Sequence, residues 1–127
     1  MMKSYTDINQ SKKLAEILPL ESADMFYDGV QDLYKEKVYN IPINGSSITV
    51  RTGHIITEKG IKANLLLPAW SLTALLGVLP EPNLIEKDGL WHLFCDDADH
   101  FSSSTGYDNP IDACVAMIER LHELNLL

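Results

Sequence analysis

The chain has 127 residues, a formal net charge of −8 and a hydrophobic content of 46%. That length and balance predict one domain, 1–127, able to bury a core without disulfides or structural metals. The negative charge disfavours direct nucleic-acid binding, because nonspecific affinity for phosphate backbones comes from lysine and arginine.

Apolar runs stay short of the roughly 20 residues a spanning helix needs, so no membrane partner is expected. The opening residues, MMKSYTDINQSKK, show no apolar stretch of the signal-peptide kind. A cytoplasmic location is the resulting expectation. The two cysteines, Cys95 and Cys114, fit a reducing compartment.

In chain order, a capped helix is expected from Thr6 or Asp7 to about Leu18, where Pro19 ends it. Ser22 or Asp24 can cap a single turn. Phe26, Val30, Leu33 and Tyr34 have helical spacing, which Gly29 interrupts. Val38–Ile43 reads as an edge strand because Pro42 has no N–H to donate. Asn44-Gly45 is a hairpin turn signal. Ile48–Thr52 alternates with β-branched residues and reads as a strand. His54–Thr57 and Ile61–Leu65 flank Glu58-Lys59-Gly60 as a second hairpin.

Pro68 to Pro80 contains no charge, and a helix is expected there. A helix apolar nearly all round is either buried or paired with a second copy. Trp70, Leu72, Leu75, Leu76 and Leu79 are therefore candidate apolar contact residues, with a homodimer as one outcome. Asn83–Lys87 and Leu90–Cys95 flank Asp88-Gly89 as a third hairpin, with Leu90, His92 and Phe94 on one face and Trp91, Leu93 and Cys95 on the other. Asp96 to Asp108 reads as a polar loop. The last helix runs from Asn109, a favoured N-cap, through Pro110 to Leu124. Its apolar side carries Ile111, Cys114, Val115, Met117, Ile118, Leu121 and Leu124. Asp112, Ala116, Glu119, Arg120 and Glu123 take the opposite side. The whole predicts an α+β fold: a small, mostly antiparallel sheet of hairpins packed against an N-terminal helix, a central apolar helix and a C-terminal amphipathic helix.

Charge is concentrated between residues 81 and 112, where eight acids accompany one base, Lys87. Glu81, Glu86, Asp88, Asp96, Asp97, Asp99 and Asp108 form a candidate interaction surface for a basic partner protein, or a nucleic-acid mimic that inhibits one. The 92–100 stretch, His92-Leu93-Phe94-Cys95-Asp96-Asp97-Ala98-Asp99-His100, holds ligand types for a metal and side chains for a small enzyme, with His54 as a further histidine. Against this, His92 and Cys95 fall on opposite faces of a strand. No paired Cys-x-x-Cys, EF-hand loop, phosphate loop or nucleophile–base pattern is present. No catalytic residue, metal ligand or cofactor is assigned. Cys114 reads as packing. Acids beside Cys95 are expected to raise its pKa and disfavour the thiolate. His122 reads as a helix-end residue.

Three stretches, Ser22-Ala23-Asp24-Met25, Pro68-Ala69-Trp70-Ser71-Leu72-Thr73-Ala74-Leu75-Leu76, and Asn109-Pro110-Ile111-Asp112-Ala113-Cys114 with Met117-Ile118 and Leu121-His122-Glu123-Leu124, carry a resemblance. They resemble small uncharacterised proteins encoded in phages, prophages and mobile elements of gut anaerobic bacteria. The resemblance covers about a third of the chain and implies a phage-like accessory protein. It transfers no activity, substrate or catalytic residue. The function expected is a non-catalytic interaction module with an acidic surface and a protein partner.

Overall fold

The computed structural model describes residues 3–28, 49–53, 66–97 and 100–127, the side chains of 97, 100 and 101 excepted. The expected strand at Val38–Ile43, the Asn44-Gly45 turn, the hairpin at 54–65, His54 and Asp99 lie outside the described residues. Among these residues the fold is α+β, with helices and two three-stranded antiparallel sheets. The chain forms two compact units, Thr6–Trp70 and Met1–Tyr5 with Ser71–Leu127.

In the first unit, α1 spans Ile8–Ala15. A capping box starts it: Gln10 N–H donates to Asp7 Oδ1 at 2.8 Å, and Asp7 N–H donates to Gln10 Oε1 at 3.1 Å. Lys12 and Lys13 lie in its last turn, at the negative end of the dipole. A 3-10 turn follows at Leu20–Ser22. Strands β1 (Met25–Asp28), β2 (Thr49–Thr52) and β3 (Leu66–Ala69) form a sheet in the order β2-β1-β3, with Tyr27 opposite both Val50 and Leu67.

Thr6 ties this unit together. It is fully buried, its N–H donates to the Trp70 carbonyl at 3.0 Å, and its Oγ1 accepts the Trp70 N–H at 3.1 Å. The same hydroxyl meets Ser11 Oγ at 2.8 Å, and the Thr6 carbonyl accepts Tyr27 O–H at 2.8 Å. Buried polar groups are tolerated when paired in this way.

The expected helix across Pro68–Pro80 is shorter than its composition suggests. Pro68 and Ala69 belong to β3, and the helix α2 covers Leu72–Val78. Ser71 is its N-cap, accepting the Ala74 N–H at 3.2 Å. Among the described residues β3 is an outer strand, a position that accommodates Pro68. Leu67, Pro68 and Ala69 are all buried, so β3 lacks the alternation that separates a strand from a buried helix. Met25–Asp28 is likewise a strand, although Phe26 begins a run of helical spacing.

In the second unit, β4 (Pro82–Lys87), β5 (Leu90–Asp97) and β6 (His100–Tyr107) form the sheet β4-β5-β6, and α3 (Pro110–Glu123) packs on β5 and β6. The β4–β5 hairpin is as expected. Asp88 and Gly89 both have positive φ, 56° and 80°, the requirement of a type I′ turn.

Among the described residues of the polar loop expected at 96–108, Asp96 and Asp97 end β5 and His100–Tyr107 is β6. Ser102 and Ser104 are buried while Ser103 and Thr105 are exposed. Burial thus alternates with period two where polarity does not. Gly106 at φ +83° is the extra residue that shifts the register between Trp91 and His92, the mark of a glycine bulge.

Helix α3 starts as the residues dictate. Asn109 Oδ1 accepts the Asp112 N–H at 2.9 Å, and Asn109 Nδ2 donates to Asp112 Oδ2 at 2.8 Å. Lys3 Nζ donates to the other Asp112 oxygen at 2.9 Å. Ile111, Cys114, Val115, Met117, Ile118 and Leu121 are buried. Leu124, expected beside them, is 52% exposed. It is the C-cap, and the chain reverses through Asn125 at φ 59°, with Leu126 N–H donating to Leu121 O and Asn125 N–H to His122 O. That is a Schellman ending with asparagine in the left-handed position. His122 Nδ1 donates to the Leu127 carbonyl at 3.2 Å, a helix-end contact.

Candidate functional site

The β4–β5–β6 sheet presents two different faces. Leu93 and Cys95 of β5 and Ser102 and Ser104 of β6 are buried on the side covered by α3. On the other side the register aligns Ile85 with His92 and Thr105, Asn83 with Phe94 and Ser103, and Lys87 with Leu90. Ile85 is 45% exposed and Leu90 38%, while His92 and Phe94 are half-buried. Ile85, Leu90, His92 and Phe94 therefore make a contiguous row across two strands. Polar Asn83, Lys87, Ser103 and Thr105 flank it, and Asp96 continues the same row of β5.

The acids of the candidate surface other than Asp99 take their places on this frame. Glu81, Glu86, Asp88, Asp96 and Asp108 are exposed. Asp97 ends β5, opposite His100. The register divides the acids into two groups. Glu86, Asp88 and Asp108 gather where β4 turns into β5 and β6 ends, since Lys87 pairs with Leu90 and Tyr107 with Trp91. Glu81 and Asp96 share the other end, because Pro82 pairs with Cys95. Six residues of strand separate the ends, about 20 Å. The register thus holds these five acids in two groups, one at each end of the sheet.

The apolar contact set divides as well. Trp70, Leu75 and Leu79 are buried and Leu72 and Leu76 half-buried, so three of these side chains serve the interior rather than a surface. The Trp70 indole N–H donates to Ser22 Oγ at 2.9 Å, as a buried tryptophan requires. The exposed apolar residues that spacing alone did not single out are Ile85 and Leu90. The signal for them was present: both flank Asp88-Gly89 on the face opposite Leu93.

Within the 92–100 stretch, His92–Asp97 is strand and His100 begins β6, and β5 runs from His92 to Asp97 with no register shift. His92 and Cys95 therefore point to opposite faces. Both cysteines are free and buried. Burial pushes the Cys95 thiol up to about 11, and desolvation, not adjacent acids, is the cause. Burial pushes Cys114 up to about 12, with the neighbouring Cys95 adding to the shift. Thiols held protonated in this way are poor nucleophiles and poor metal ligands. Among the described residues no group of three His, Cys, Asp or Glu side chains is arranged to hold a metal ion. Among them, too, no helix is long and apolar enough to cross a membrane.

Two hollows accompany these features. One, of about 400 Å³, is lined by Asn9, Lys12 and Lys13 of α1 and by its C-cap Glu16, and desolvation there lowers the pKa of Lys12. The other, of about 340 Å³, lies between β6 and α3.

No protein-family model, curated protein or solved structure matches the chain.

Proposed function

We propose that the protein is a non-catalytic docking module, and that the face of β4–β5–β6 opposite α3 is its partner surface. The observation that carries this reading is the exposed pair Ile85 and Leu90, contiguous with His92 and Phe94 and bracketed by acids at both ends of the sheet. An apolar centre with a charged rim is the usual anatomy of a protein interface. The partner chemistry follows from the charge. Asp88 and Asp108 at one end and Glu81 and Asp96 at the other, with Lys87 the nearby base, call for a protein with an apolar patch between basic residues. The free, buried thiols suit a cytoplasmic setting. The motif resemblance to phage and mobile-element proteins suits an accessory role that acts by binding a host or phage protein.

The test is capture of partners by the immobilised full chain at low and at moderate salt. Rim charges accelerate association and are screened within about 8–10 Å at physiological ionic strength, whereas the apolar centre is not. The reading expects a partner enriched in lysine and arginine that is captured well at low salt and weakly, but measurably, at moderate salt. Capture indifferent to salt would remove the acidic rim from the account.

A further inference from the structure

We propose that β6 is a self-pairing edge, through which two copies of the chain join their β4–β5–β6 sheets into one six-stranded sheet. Edge strands expose unpaired N–H and C=O groups, and proteins usually block them with charge, proline or a bulge. Strand β4 is blocked in this way, by Pro82, Glu86 and Lys87. Strand β6 is not. Among the described residues the strand order ends at β6, and residues 101–107 contain no charge and no proline. The Gly106 bulge lies at one end and leaves His100–Thr105 in regular register.

A second, independent observation points to an occupant. Ser104 is only 7% exposed, yet its Oγ has no hydrogen-bond partner. It lines the groove of about 340 Å³ between β6 and α3, with Ser103, Thr105, Tyr107, Ala116, Glu119, Arg120 and Glu123. A buried hydroxyl left unpaired is destabilising, so a group that reaches it is favoured.

A second copy supplies that group by symmetry. Antiparallel pairing about a two-fold axis at Ser103 places Ser104 opposite Ser102 of the second copy, hydroxyl against hydroxyl on the α3 side. It also places the two α3 helices side by side on one face of the joined sheet. The groove then closes between Arg120 of one copy and the carboxylate of Glu123 of the other. Both signs of charge on one short stretch of helix make this surface self-complementary. The acids of β4 stay at the outer edges of the dimer, where they do not repel each other.

Sedimentation equilibrium on the full chain, from low micromolar to submillimolar concentration, tests the proposal. The expected result is a reversible dimer. Ser103→Lys puts two lysines directly opposite at the axis and should weaken the dimer at least about tenfold. Because Ser103 is exposed, the circular dichroism of the variant should not change. Ile85→Thr, on the docking face, should leave the dimer intact, so failure here is distinct from failure of the docking reading. Amides of residues 101–105 should exchange more slowly as concentration rises. A monomer throughout overturns the proposal. So does a dimer that resists Ser103→Lys, one that Ile85→Thr dissociates, or slowed exchange at 101–105 that appears only when another protein is added.

Discussion

Thr6 is the residue on which the first unit turns, and no periodicity marks it. Its hydroxyl serves both the Trp70 N–H and Ser11, and its backbone serves Trp70 and Tyr27. Thr6→Val keeps the shape and removes the oxygen, leaving the buried Trp70 N–H without its acceptor. The expected loss is about 1–3 kcal/mol in urea unfolding. Ser11→Ala should cost less, because the Thr6 hydroxyl retains Trp70. The cysteines make a second prediction at this scale. With thiols raised to about 11 and about 12, the native protein should react with a thiol reagent at pH 8 far more slowly than the unfolded chain, in which both cysteines titrate. The linkage has a definite sign. A folded pKa above the unfolded value of 9.0 contributes stability that is fully present below pH 9 and lost as pH rises through about 11 and 12. Urea midpoints should therefore fall above pH 9, and fall less in a Cys95→Ala, Cys114→Ala double variant.

At the scale of elements, what could be read in advance depended on which physical signal each element carries. Helix α3 was legible because capping, proline placement and a 3.6-residue stripe agree over fourteen residues. The β4–β5 hairpin was legible because Asp88-Gly89 is nearly unambiguous in a two-residue turn. Strand β3 was not, since a strand buried on both faces shows no alternation and its proline resembles a helix start. Strand β6 was hidden because its inward residues are serines, so nothing hydrophobic marks the buried face of Ser102 and Ser104. The candidate site was half legible for the same reason. The acids were found by charge alone, but their division between two ends needs the register, and the exposure of Ile85 and Leu90 needs to be seen beside the buried Leu93. Gly106 offers a check on the β6 assignment. A Cβ there would meet nothing within 4 Å, so Gly106→Ala suffers only from the backbone at φ +83°. Urea unfolding should show a loss of about 1–2 kcal/mol, whereas Gly77→Ala, in α2 with nothing within 4 Å and ordinary φ, should gain up to about 1 kcal/mol.

At the scale of the whole molecule, the two sides of one sheet differ: the side under α3 is core, and the opposite side is the proposed partner surface. On that proposal Glu81, Glu86, Asp88, Asp96 and Asp108 act at distance, guiding and orienting the partner, and Ile85 and Leu90 hold it at contact. These two contributions separate by substitution. Neutralising Glu86, Asp88 and Asp96 to their amides should flatten the salt dependence of binding while leaving affinity at moderate salt nearly unchanged. Replacing Ile85 and Leu90 with threonine keeps β-propensity and charge but removes the apolar centre. Each side chain has about half of its burial still to gain, so the pair should contribute about 2 kcal/mol, roughly thirtyfold in Kd. The direct measurement is the dissociation constant of a captured partner for the wild-type chain, the Ile85→Thr, Leu90→Thr variant and Glu16→Gln, an exposed change on α1. The account predicts weakening by roughly thirtyfold for the double variant and none for Glu16→Gln. Equal affinity of all three proteins for the same partner would contradict it.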